Sequence, residues 1–200
     1  MMLTEQTTVP AEALPVQAMK DHLRLGTGFA DDGMQDGLVA GYLRAAIAAI
    51  EGRTGKALLE RRFSLRLSCW REAKGAQALP MAPVSSLVSL TMIDAEGVPS
   101  LVAADGYRLE PDMARPRLVG AGRSLPTIPE GGAAVIVFDA GFGTTWNTVP
   151  PDLAQAVLLL AAEYYEARHN GGQGGAALPL TVQTLIERWR TVRVLGGASA

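Results

Sequence analysis

The sequence predicts an α+β fold: a small bundle of about four helices, a β-strand insertion between the second and third long helices, and a C-terminal helix and tail suited to docking. Two observations carry that prediction. Apolar residues recur at helical spacing near both ends of the chain but alternate with polar residues in the middle third. The order is also helix, helix, a run of strands, helix, helix, which is not the strict alternation of a doubly wound sheet. No repeat of fixed period interrupts it. At 200 residues, with 48% hydrophobic and 19% charged side chains, the chain suits one globular domain that folds without staples or metals.

The elements follow in order. Residues 1–14 read as a loose arm. Pro15 opens a short helix over about 15–25, and the glycines and aspartates of GTGFADDGMQDG make a polar loop. Asp36 is placed to cap a second helix over about 37–53, with Leu38, Tyr42, Ala45, Ala46 and Ala49 on one face. Gly55 suits a left-handed helix stop. The β insertion then runs over about 57–140. Phe63, Leu65, Leu67 and Cys69 alternate with Arg62, Ser64, Arg66 and Ser68, as in a half-buried strand. SSLVSLTMIDAEGVPSLV reads as two strands around Ala95-Glu96-Gly97, GYRLEP and PRLVG as short strands, and AAVIVFDA as the strongest strand in the chain. Pro151 opens a third helix over about 151–169, apolar nearly all round. A glycine-rich link spans 170–177, a last helix 181–190, and an apolar-basic tail 191–200.

Charge argues against some functions. The formal net charge of −2 gives no global basicity for nucleic acid. Its distribution is uneven, however. Residues 1–40 hold Glu5, Glu12, Asp21, Asp31, Asp32 and Asp36 against two bases, whereas residues 51–75 hold Arg53, Lys56, Arg61, Arg62, Arg66, Arg71 and Lys74 against three acids. Such asymmetry suits head-to-tail self-association or simply a solvated surface. Arginine outnumbers lysine fifteen to three, and its planar fork suits interface pairing. The single cysteine, Cys69, leaves no intrachain disulfide and no thiolate cluster. The N-terminus lacks the basic segment and apolar run of a signal peptide, and AVLLLAA is too short to span a bilayer.

The chemical motifs fail in turn. Gly52-Arg53-Thr54-Gly55-Lys56 resembles the end of a phosphate loop. That loop needs glycine where Ile50 stands and a hydroxyl where Ala57 stands, and it must lie between a strand and a helix, not the reverse. Lys56 therefore reads as a surface charge. DAGFGTT follows a strand, but Trp146 to Pro150 separate it from the next helix, so no dinucleotide turn is completed. Gly141 and Gly143 read instead as turn residues needing positive φ. His22 and His169 begin no zinc-binding pattern, and no serine lies in a nucleophile elbow. Glu163 and Glu166 read as the exposed edge of their helix. No catalytic, cofactor-binding or metal-binding residue emerges, and the expectation is a protein that is not an enzyme.

The ordered set of LPVQAMKDHLRL, the helix closing on TGKAL, APVSSLVSL, DGYRLE, AGFG and VPPDLAQAVLLLAAEYYEAR, then LPLTVQTLIERWR, resembles the head–tail connector (adaptor) proteins of long-tailed bacteriophages and related gene transfer agents, from about Leu14 to Arg190. The 26–37 loop and the 171–175 link look longer than is typical of that family. The resemblance implies a structural protein at the head–tail junction of a particle assembled in the bacterial cytoplasm. It implies a homo-oligomeric ring, usually twelve-fold, beneath the portal protein, with a stopper or tail protein on the other side. Double-stranded DNA would pass through with non-specific contact. It also implies portal docking by the C-terminal segment, here Leu185, Trp189, Arg190, Val192 and Arg193. The charge asymmetry adds a candidate subunit interface between Asp31, Asp32 and Asp36 on one copy and Arg53, Lys56, Arg61, Arg62 and Arg66 on the next. Two tests follow: reversing Arg61 and Arg62 should weaken assembly, and removing the residues after Ala177 should leave a folded protein that does not bind portal. The alternative readings are a stopper or tail-completion ring, or a small-molecule or nucleotide-binding enzyme with an unread site.

Overall fold

A computed structural model describes residues 1–24, 35–72, 75–122, 124–168 and 178–190. The fold is α+β, with four helices and two antiparallel sheets. The helices are α1 (Val16–His22), α2 (Asp36–Thr54), α3 (Pro151–Ala167) and α4 (Leu180–Ile186). The strands are β1 (Met2–Glu5), β2 (Arg61–Leu67), β3 (Ala76–Ala78), β4 (Val84–Ile93), β5 (Pro99–Leu101), β6 (Tyr107–Glu110), β7 (Arg117–Gly120) and β8 (Ala133–Ala140). One sheet has the order β1-β2-β8-β4-β5 and the other β3-β7-β6.

The first strand corrects the expectation of a loose arm. Met2 to Glu5 lie antiparallel to β2 in the register Met2↔Arg66 to Glu5↔Phe63, and Gln6 N–H continues the ladder to Arg62 O at 2.8 Å. MLTE is exposed on both faces, so no alternation announces it. It forms because the edge of β2 offers an unpaired row of donors and acceptors.

α2 begins one residue earlier than expected. Gln35 holds the cap position without a side-chain bond, and the Asp36 carboxylate turns instead to Lys20 of α1. The buried face is also rotated from the expected one. Val39, Leu43, Ala46, Ile47 and Ile50 point inward, while Leu38 and Ala45 are exposed. The larger aliphatic set wins because each such side chain is worth about 1.5–3 kcal/mol on burial, well above alanine. Gly55 ends the helix as expected, at φ 67°, its N–H bonded to Glu51 O at 2.8 Å.

In β2 the alternation holds for Phe63, Leu65 and Leu67, all buried. Cys69 falls past the strand end and is exposed, contrary to the expected pattern. β4 and β5 form the hairpin expected around residues 95–97, β6 and β7 the two short strands, and β8 is the central strand between β2 and β4. Past β8, Gly141 has φ 148°, and a Cβ there would lie 2.4 Å from Glu60 Cα and N. Only glycine lets this turn press against the start of β2.

Two cores result. Leu43, Ile50, Leu153, Val157, Leu160, Val182 and Ile186 fill the space among the helices. Phe63, Leu65, Leu90, Leu118, Ile136 and Phe138 fill the space between the sheets. Leu58 and Leu59, on the short segment after α2, belong to the helical core, while Ala57 belongs to the sheet core. That segment is where the two are sewn together.

Candidate functional site

The candidate surfaces are built at the two ends of α3 and β2. At the C-terminal end, Pro179 starts α4, which buries Val182 and Ile186 in the helical core. A 3-10 turn, Glu187–Trp189, then carries Trp189 onto the N-terminus of α3. Asp152 Oδ2 accepts hydrogen bonds from Trp189 Nε1 at 2.7 Å and Arg188 Nε at 2.6 Å, and Oδ1 accepts from Leu153 N–H at 3.0 Å. The Trp189 ring meets Phe142 edge to face at 5.5 Å between centroids. Partial burial alone would raise the Asp152 carboxyl, but the bonds from Arg188, Trp189 and Leu153 hold it below the usual carboxylate range. A carboxylate in the first turn of α3 also answers the positive end of the helix dipole.

Of the residues the sequence assigned to portal docking, Leu185 is half-buried beside Pro151, Thr184 and Arg188. Trp189 is half-buried and anchored within the subunit. Arg190 is exposed and paired with Glu187 at 3.1 Å. Val192 and Arg193 lie outside the described residues. Asp152 was not singled out from the sequence, although its position after Pro151 in the first helical turn is the signal that marks it. Removing the Asp152 carboxylate (Asp152→Ala) should cost about 1 kcal/mol after solvent screening. It should also speed amide hydrogen exchange over 180–190 while leaving α2 protected. Unchanged exchange there would mean that Asp152 does not hold the turn.

The basic and acidic residues divide sharply. Arg61 is 5% exposed and Glu51 7%. Arg61 Nη1 and Nη2 donate to Glu51 Oε1 at 3.0 Å and Oε2 at 2.7 Å, and Arg61 Nε lies 3.0 Å from Glu5 Oε1. Glu51 Oε1 also accepts from Leu58 N–H at 2.8 Å. This cluster ties α2, β1 and β2 together within one copy, so part of the charge complementarity assigned to neighbouring subunits is satisfied internally. The expected reversal of Arg61 would put a third carboxylate beside Glu5 and Glu51, and would report on folding rather than assembly. The missed signal was phase. Arg61 continues the buried series Phe63, Leu65, Leu67, whereas Arg62 and Arg66 fall on the opposite face.

Lys56 is 2% exposed, which corrects its reading as a surface charge. Ala57 N–H bonds to Ala82 O at 2.9 Å and Ala82 N–H to Gly55 O at 3.0 Å, so the backbone around Lys56 is clamped between α2 and the start of β4. The side chain is drawn inside with it. Its Nζ has no hydrogen-bond partner among the described residues. Burial pushes the Lys56 pKa down from 10.5, and the charge of Asp112 only partly opposes that.

Arg53, Arg62 and Arg66 are exposed. Arg62 donates to Asp139 Oδ1 at 2.9 Å and Oδ2 at 3.0 Å, and Ser86 Oγ donates to the same Oδ2 at 3.1 Å. The hydrogen bond from Arg62 outweighs partial burial and holds Asp139 below its ordinary range. Asp36 is half-exposed and paired with Lys20, and Asp31 and Asp32 lie outside the described residues. Among the described residues no cluster of His, Cys, Asp and Glu could hold a metal ion, and no helix is long and apolar enough to cross a membrane.

What these residues build is a set of struts and exposed edges, an arrangement that joins elements and presents surfaces. Solved structures agree. The chain is 59% identical to a chain in the neck of an empty GTA particle computed with C6 symmetry, over 98% of this chain and 99% of that one, with a TM-score of 0.88. It is 60% identical to a chain in the virion of a native gene transfer agent (GTA) particle, with the same coverage and a TM-score of 0.85. A chain in the neck of a native GTA particle computed with C12 symmetry is 55% identical, again over 98% and 99%, with a TM-score of 0.84. No protein-family model and no curated protein matches. The class is that of a structural component of a particle. The chain belongs to the family of these gene transfer agent neck proteins.

Proposed function

We propose that this protein is the head–tail adaptor of its particle: a ring subunit seated beneath the portal, joining the DNA-filled head to the tail and letting DNA through. The observation that carries this reading is the near full-length identity of 59% with a neck chain. Related necks computed with C6 and C12 symmetry support a ring, for which twelve copies is the proposed number. A cyclic ring needs two unlike faces on each subunit that mate head to tail. Exposed Arg53, Arg62 and Arg66, with Asp36, Asp31 and Asp32, are the proposed charged part of that contact. Leu185 and Arg190, with Val192 and Arg193 after them in sequence, are the proposed portal contact, and Trp189 anchors the 187–190 turn on Asp152. Double-stranded DNA is met only through weak, sequence-independent contacts, and the tail-side partner is a stopper or tail protein.

The structure changes how portal docking should be tested. A truncation after Ala177 would remove Leu178, Val182 and Ile186 from the helical core. Truncation after Arg190 spares that core. The purified full chain, examined by mass photometry and negative-stain microscopy alone and with its portal, should form rings or a discrete portal complex. Removal of 191–200 should abolish the complex while the melting temperature holds. A protein that is monomeric in both conditions overturns the adaptor reading.

A further inference from the structure

The five-stranded sheet ends in two open edges, β1 without a proline and β5 with one, Pro99. At one, Gln6 N–H bonds to Arg62 O, and Met2 and Thr4 stand opposite Arg66 and Ser64. Antiparallel ladders alternate residues that bond the partner with residues that face away. Leu3 and Glu5 therefore turn their N–H and C=O outward. At the other edge, Val102 N–H bonds to Leu90 O and Asp94 N–H to Val98 O, with Leu101 opposite Thr91. Pro99 and Leu101 are thus the outward-facing residues there.

Both edges also expose apolar side chains. Met1, Met2 and Leu3 are at one, and Val98 and Leu101 at the other, with Leu101 71% exposed. Solitary proteins guard such edges with charge or proline. β1 has no lysine or arginine, and its one charge, Glu5, is directed to Arg61.

We propose that β1 of one copy pairs in parallel with β5 of the next, so that the sheets join edge to edge around the ring. This rests on the ring reading above. Each step in the order β1-β2-β8-β4-β5 is antiparallel, so β1 and β5 run the same way. Rotation about an axis keeps the direction of strands that run along it, so neighbouring copies bring these edges together in parallel. With Leu101 opposite Thr4, donors and acceptors match. Leu3 N–H meets Pro99 O, Leu101 N–H meets Leu3 O, and Glu5 N–H meets Leu101 O. The N–H that Pro99 lacks would face Met1 O, where the ladder ends.

The register fixes which side chains are neighbours across the seam. Leu101, Thr91, Val135, Arg66 and Met2 share one sheet face, and Thr4 lies on it too, two residues from Met2. Thr4 and Leu101 would then stand side by side, at the strand spacing of about 4.8 Å, within reach of a disulfide. Leu3 points to the other face. In a Cys69→Ser background, the Thr4→Cys/Leu101→Cys protein should give, on mild oxidation, a ladder of covalent oligomers in non-reducing electrophoresis. Leu3→Cys/Leu101→Cys and each single variant should not. Intact rings by microscopy without that ladder overturn the edge pairing and leave the adaptor reading standing. If the protein forms neither rings nor a portal complex, both fall.

Discussion

Replacing Glu51 by alanine should lower the free energy of unfolding by roughly 3 kcal/mol, read as a lower urea midpoint at unchanged slope. Breaking one side of a buried ion pair costs more than the pair contributes, because the remaining charge stays inside without its partner. Arg61 keeps Glu5 as a partner, at 3.0 Å, so the lower end of the usual range applies. Leu58 N–H loses its acceptor as well. The Arg62–Asp139 pair, on the exposed face, is the control, since its removal should shift the midpoint little. If the two pairs prove equally dispensable, Glu51 and Arg61 do not form the strut that joins the helical and sheet cores.

Replacing Lys56 by methionine should act in the opposite direction and stabilise the protein by about 1–2 kcal/mol near neutral pH. A buried ammonium with no hydrogen-bond partner among the described residues carries a desolvation cost that Asp112 only partly offsets, and methionine fills similar volume without that cost. The sign of the pH dependence follows from the lowered pKa. Between the folded-state value and 10.5, the unfolded chain holds a proton on Lys56 that the folded chain does not, so stability rises with pH through that window and is lost as pH falls through it. Below the folded-state pKa the penalty is constant. The stability gap between the methionine variant and the parent should therefore narrow as pH climbs toward 10.5. A parent that is the more stable of the two at neutral pH would show that Lys56 is satisfied in solution.

Part of the placement of the candidate residues was legible in the sequence, and the illegible part has a common cause. The ordered segments marked the family, and the phase of β2 separated Arg62 and Arg66 from the buried side. Trp189 and Leu185 were singled out only through the family resemblance. That Trp189 is anchored on Asp152 was not legible, because the two are 37 positions apart and neither has a local signature of the other.

By itself the sequence determined the α+β class, the four helices and the strands other than β1 and β3, the stop at Gly55, the turns at Gly141 and Gly143, and the burial of Phe63, Leu65 and Leu67. These follow from local sterics and from periodicity, which each segment carries alone. Only the tertiary structure decided that Met2–Glu5 is a strand, that Lys56 is inside, that Arg61, in phase with the buried face, meets carboxylates there, and that α2 turns Val39 and Leu43 rather than Leu38 to the core. In each case the outcome depends on what a distant segment supplies: the open edge of β2, the carboxylates of Glu51 and Glu5, the backbone of Ala82, the apolar faces of α1 and α3. Periodicity tells which side chains can be buried together, and it is the partner that decides which of them are.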